Sequence, residues 1–132
     1  MIYGAEIWIL YENDMRGINT TEMGALRLSV RISKLERKTN EYITEKMNEQ
    51  DTILDEITGK QLIWYGHVER MDPTRLPKVM ISWKPEGRKK RSRPRRTWKD
   101  GIYTAVSERD LRVGEWNNRR LWNMEVGRRR QT

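Results

Sequence analysis

Between residues 84 and 100, nine of seventeen side chains are cationic: Lys84, Arg88, Lys89, Lys90, Arg91, Arg93, Arg95, Arg96 and Lys99. Only Glu86 and Asp100 oppose them, so this segment holds nearly all of the chain's formal net charge of +8. The remainder is almost balanced, with 18 cations against 17 anions. Such a run repels itself and has nothing apolar to anchor it. Residues 84–96 are therefore expected to be extended and disordered when free, and any core must form on either side of them.

The composition sets the scale of that core. Of 132 residues, 36% are hydrophobic and 35% charged, and the mean hydropathy is −0.96. These values fit a small helical body with long polar arms rather than a densely packed globule, so the fold expected is all-α, small and loosely packed, with an extended basic linker. There is no cysteine, which excludes disulfides and cysteine-based zinc sites and suits the nucleus or cytoplasm. The first ten residues are apolar but include Glu6 and lack a basic start, so secretion is not expected. No stretch approaches the ~20 apolar residues of a membrane span. Nor does a strongly amphipathic basic helix surround the cationic run, so a membrane partner is not expected either.

Hydrophobic spacing places the helices. Residues 2–12 read as a short apolar helix with Tyr3, Ile7 and Leu10 on one stripe. Asn13 caps a second helix to about residue 30, with Met15, Ile18, Ala25 and Leu26 inward and Gly17 and Gly24 inside. Thr39 or Asn40 opens a third, with Ile43 and Met47 inward. Asp51 or Thr52 opens the strongest, to about Met71, on the repeat Leu54, Ile57, Gln61, Trp64, Tyr65, Val68 and Met71. Pro73 stops it. A short helix is expected over residues 78–83. Thr97 caps the first of a final pair, striped by Trp98, Ile102 and Val106; Trp116, Arg119, Arg120, Leu121 and Trp122 suggest the second. The organisation expected is a helical region over 1–72, a Pro/Arg/Lys-rich linker over 73–97, a helical pair over 98–126 and a basic tail over 127–132.

Four segments in this order carry a resemblance: Tyr3-Gly4-Ala5-Glu6-Ile7-Trp8, Trp64-Tyr65-Gly66-His67-Val68-Glu69-Arg70-Met71, Arg75-Leu76-Pro77-Lys78, and residues 87–98, GRKKRSRPRRTW. Together they resemble the region after the polymerase core in reverse transcriptases of non-LTR (LINE-type) retrotransposons. The resemblance spans essentially the whole chain, with residues 27–50 matching loosely. It implies a truncated C-terminal piece, at the thumb and beyond, of an RNA-directed DNA polymerase. The palm aspartates that hold the catalytic metals lie upstream of the matched region in that family. This chain has no Tyr-x-Asp-Asp motif and no Asp-Asp pair, so it is not expected to be an enzyme by itself. No cofactor is expected.

Within the basic run, Arg91-Ser92-Arg93-Pro94-Arg95-Arg96 is similar to an AT-hook, in which arginines enter a narrow minor groove. Ser92 stands where that motif has glycine, and its side chain crowds the groove floor. The expectation is phosphate binding to RNA or DNA through Lys84, Arg88, Lys89, Lys90, Arg91, Arg93, Arg95, Arg96 and Lys99. The bland reading is a solvated charge run or a nuclear import signal. Of six tryptophans, Trp83 and Trp98 flank the run. Aromatic rings beside cations stack on unpaired bases, and Trp83 is the candidate, because Trp64, Tyr65 and Trp98 lie on core stripes. His67, the only histidine, is expected to be a structural helix residue, not a metal ligand. Glu69, Asp72, Asp100, Glu108 and Asp110 read as surface ion-pair partners. Competing readings are a piece of polymerase active only with the missing palm, a helical protein-interaction fragment, and a frame without selected function. Other reverse transcriptase segments are candidate partners.

Overall fold

The computed structural model describes residues 3–48, 51–84, 87 and 96–128. Among these residues there are six α-helices and no strand: α1 (Glu12–Ser29), α2 (Asn40–Met47), α3 (Ile53–Glu69), α4 (Leu76–Ser82), α5 (Trp98–Glu108) and α6 (Arg119–Gly127). The protein is all-α, as its spacing predicts. No helix among the described residues is long and apolar enough to cross a membrane. Contacts divide the chain into two compact units, residues 10–57 and residues 1–9 with 58–132. The division falls inside α3 and inside the stretch 1–72 that reads from sequence as one region.

In the unit of residues 10–57, short polar side chains set the helix starts. Asp14 accepts from the Tyr11 backbone N–H at 3.0 Å, so α1 begins one residue before the expected cap, Asn13. Thr39 accepts from the Tyr42 N–H at 3.3 Å and starts α2. Thr52 and Asp55 form a reciprocal cap at the start of α3. Arg27 joins the end of α1 to the start of α2 by donating to the Lys38 carbonyl at 2.7 Å and to Asn40 Oδ1 at 3.0 Å. Ile43 and Ile57 are fully buried, while Ala25, expected inward, is exposed. Glu22 is the surprise of this unit. It is buried, and its Oε1 accepts from the Ile53 N–H at 2.9 Å, placing a carboxylate on the N-terminus of α3.

The other unit is built on the second half of α3. Leu62, Tyr65, Ile102, Ala105, Leu111, Trp122 and Val126 form one buried cluster, with Trp98, Val106 and Trp116 packed against it. Aromatic rings meet edge to face through it: Trp64 with Trp98 at 5.3 Å, Tyr65 with Trp116 at 5.7 Å, and Trp116 with Trp122 at 6.1 Å between centroids. Gly66 lets α6 come close. A Cβ there would lie 2.3 Å from Trp122 Nε1, and that nitrogen donates to the Leu62 carbonyl at 2.9 Å. On α6 the buried positions are Trp122 and Val126; Arg119 and Arg120, expected on the stripe, are exposed.

The N-terminal segment departs most from expectation. In place of the helix expected over residues 2–12, the described residues before α1 hold one 3₁₀ turn, Ala5–Ile7. Gly4 precedes it in the left-handed region (φ 71°), and Trp8 after it is extended. Backbone carbonyls, not an apolar stripe, hold it down. Gln61 Nε2 donates to the Ala5 and Trp8 carbonyls at 3.2 and 2.9 Å, and Trp98 Nε1 donates to the Glu6 carbonyl at 2.9 Å. Carbonyls turned outward in this way are lost to a helical ladder. Ala5 is buried, while Tyr3 is 92% and Ile7 63% exposed.

Two carboxylates read from sequence as ion-pair partners accept local hydrogen bonds. Asp100 Oδ2 receives the Thr97 N–H and hydroxyl, both at 2.7 Å, and closes the cap of α5. Asp72 Oδ1 receives the Thr74 N–H at 2.9 Å and the Thr74 hydroxyl. Hydrogen bonds from Thr97 hold the Asp100 carboxyl below its ordinary value of 3.8, and bonds from Thr74 do the same for Asp72. A depressed folded value stabilises the fold fully above the unfolded value and stops doing so as pH falls through the folded one. The melting temperature of Asp100→Asn is therefore expected below wild type at neutral pH. The gap should close as pH drops below about 4. A gap independent of pH would contradict this account of the cap.

Candidate nucleic-acid interface

The basic run begins and ends at one groove. The chain leaves α4 at Trp83, in extended conformation (φ −65°, ψ 134°). It enters α5 through Thr97, also extended (φ −96°, ψ 163°). Between these points Lys84, Gly87 and Arg96 are described. Arg88, Lys89, Lys90, Arg91, Arg93 and Arg95, all expected to bind phosphate, lie outside the described residues, as does the expected extended conformation of most of 84–96.

The groove encloses about 620 Å³. On one side stand Leu76, Pro77, Met80 and Ile81 of α4, followed by Ser82, Trp83 and Lys84; on the other stand Thr97, Trp98 and Lys99, with Trp64 and Ile7 completing the lining. Its walls are fixed by different means. Lys78 donates to the Glu69 carbonyl and pairs with Glu69 Oε2 at 3.2 Å, largely out of solvent, which ties α4 to the end of α3. Tyr65 meets the same Glu69 carboxylate. Burial first, and then that negative charge, push the Tyr65 hydroxyl far above its ordinary value, so it stays a proton donor. On the opposite wall the Trp98 indole is held by its bond to Glu6 and its edge contact with Trp64.

Of the residues expected to bind nucleic acid, Trp83, Lys84 and Lys99 line this groove together. Arg96 does not line it. Its guanidinium lies near the first turn of α5, 3.9 Å from where a Cβ on Gly101 would stand, and beside the Asp100 carboxylate. Trp98 is half-buried, whereas Trp83 is 67% exposed and has no ring partner among the described residues. His67 is exposed on α3. Among the described residues no three histidine, aspartate or glutamate side chains are grouped closely enough to hold a metal ion.

Sequence reasoning missed two features. The α4 wall, with Leu76 69% and Met80 66% exposed, gives too short an apolar run to announce a surface. In the unit of residues 10–57, a polar groove of about 320 Å³ is lined by Arg27, Lys34 and Lys38 with Asn19, Thr20 and Asn40. Its three cations are scattered over twelve positions, so no charge run marks them.

No family model matches the chain, and neither a curated protein nor a solved structure is significantly similar to it.

Proposed function

We propose that this protein is a nucleic-acid-binding module that holds RNA or DNA through backbone phosphates, using the basic segment from Lys84 to Lys99. The observation that carries the reading is the concentration of nine cations in that segment, whose described ends, Lys84 and Lys99, both line one groove. Concentrated cations attract polyanions by displacing condensed counterions, and this needs no particular base sequence. The segments Tyr3 to Trp8, Trp64 to Met71, Arg75 to Lys78 and 87–98 favour a further assignment: a C-terminal piece of a non-LTR retrotransposon reverse transcriptase. In such an enzyme the region would help retain template, primer or target beside the thumb. Phosphoryl transfer by two metals requires clustered carboxylates, so this piece binds and leaves the chemistry to a palm. It acts in the nucleus or cytoplasm.

The test is binding of the wild type and of a variant with Arg88, Lys89, Lys90, Arg91, Arg93, Arg95 and Arg96 all changed to Gln. Non-specific binding begins near Kd ~10⁻⁴–10⁻⁶ M, and the variant is expected to bind duplex DNA about a hundredfold more weakly at low salt. Equal affinities would remove the proposal. An affinity indifferent to salt but sensitive to Leu76 or Met80 would favour a protein partner.

A further inference from the structure

The groove has a chemical character that phosphate binding does not use. Its lining is mostly apolar and aromatic and includes two lysines, Lys84 and Lys99. Around it Ile7, Leu76, Met80 and Trp83 are each more than 60% exposed, a density of apolar surface that marks a binding site. Trp64 and Trp98 occupy each other edge to face, and Trp98 spends its N–H on Glu6. Trp83 is different: its indole is two-thirds exposed, on the extended residue that ends α4.

We propose that this groove receives an unpaired base of a single-stranded nucleic acid, stacked on the Trp83 indole, with the flanking phosphates on Lys84 and Lys99. The inference rests on the nucleic-acid reading above and deepens it by naming the form of strand. A duplex presents only sugars, phosphates and base edges, and its base faces are already stacked. An unpaired base offers a flat apolar face for the tryptophan, and every base has one, so the contact tolerates any sequence. The volume, about 620 Å³, lies within the ~300–1,000 Å³ of small-molecule sites. The two lysines of the lining favour a polyanion over an uncharged apolar helix. An acidic amphipathic peptide is the occupant that shares this complementarity, and the test separates the two.

Full-length protein is titrated with a single-stranded oligothymidylate and with a duplex of equal length, at one salt concentration. The wild type is expected to favour the single strand about tenfold, within the range of one base–aromatic stack. Trp83→Ala should abolish that preference and leave duplex affinity unchanged, and Trp83→Phe should keep most of it. Trp83 lies outside the buried cluster, so the fold is expected to survive, and the duplex titration reports this directly. A single strand carrying abasic sites should bind wild type no better than the duplex does. Equal affinity for both strands, or a preference that Trp83→Ala leaves intact, would overturn the inference while the phosphate reading stands. Displacement of the duplex but not the single strand by an acidic amphipathic peptide would also overturn it. Binding to neither nucleic acid would overturn both.

Discussion

Gly66→Ala should destabilise the protein by about 3 kcal/mol, the upper end of what overpacking a filled core costs. The added methyl would stand 2.3 Å from Trp122 Nε1, 2.6 Å from Cδ1 and 3.0 Å from Cε2. None of these atoms is the tip of a flexible side chain. Trp122 is fully buried, fixed by its bond to the Leu62 carbonyl and by the Trp116 ring. Relief therefore requires α3 and α6 to separate, which breaks that bond and loosens the whole aromatic cluster. Gly59 lies in the same helix and supplies the control. A Cβ there meets nothing within 4 Å, so Gly59→Ala should stabilise by about 0.5–1 kcal/mol from helix propensity alone. Urea melts of the two variants read opposite signs for the same substitution two turns apart. Equal shifts would show that Trp122 does not lie against Gly66.

Trp122→Ala should cost about 3–5 kcal/mol, the range for deleting a buried large aromatic side chain. Three losses combine in it: the buried indole surface, the edge contact with Trp116, and the hydrogen bond to Leu62. The same two positions make a cycle that isolates their contact. With the indole gone, Gly66→Ala no longer meets a ring, so its cost should vanish or become a small gain from helix propensity. Two single variants that simply add would place the damage from Gly66→Ala elsewhere in α3.

What sequence reveals here follows from the range of the interaction. Thr97 begins its helix as expected, and Thr39 and Thr52 are each one of the two caps expected for theirs, because a cap is settled within four residues. The stripe of α3 is legible for the same reason. Gly66 is not: its role depends on Trp122, fifty-six residues away, and a glycine inside a helix otherwise reads as a weakness. Residues 2–12 mislead in the opposite way. Their apolar spacing suits a helix, but Gln61 and Trp98 take three of their carbonyls, a tertiary effect that outweighs local pattern. Asp72 and Asp100 look like ion-pair partners by charge and serve as acceptors for the threonine beside each. Glu22 carries no hint in its neighbours that it will be buried at the start of α3.

The candidate interface is legible as charge and not as shape. Nine cations in one segment stand out in any reading of the chain, and Trp83 is conspicuous beside them. That Trp83, Lys84 and Lys99 share one groove depends on α4 folding back against α3 through Lys78 and Glu69, and no local spacing encodes that return. Arg96, equal to its neighbours in sequence, is drawn toward Asp100 and the first turn of α5.

The most direct measurement is the affinity of the wild-type chain for duplex DNA across a salt series. If about six of the nine cations neutralise phosphates, log K should fall against log salt with a slope of roughly −5. A slope shallower than about −2, or no binding at low salt, would contradict the claim that the basic segment grips nucleic acid.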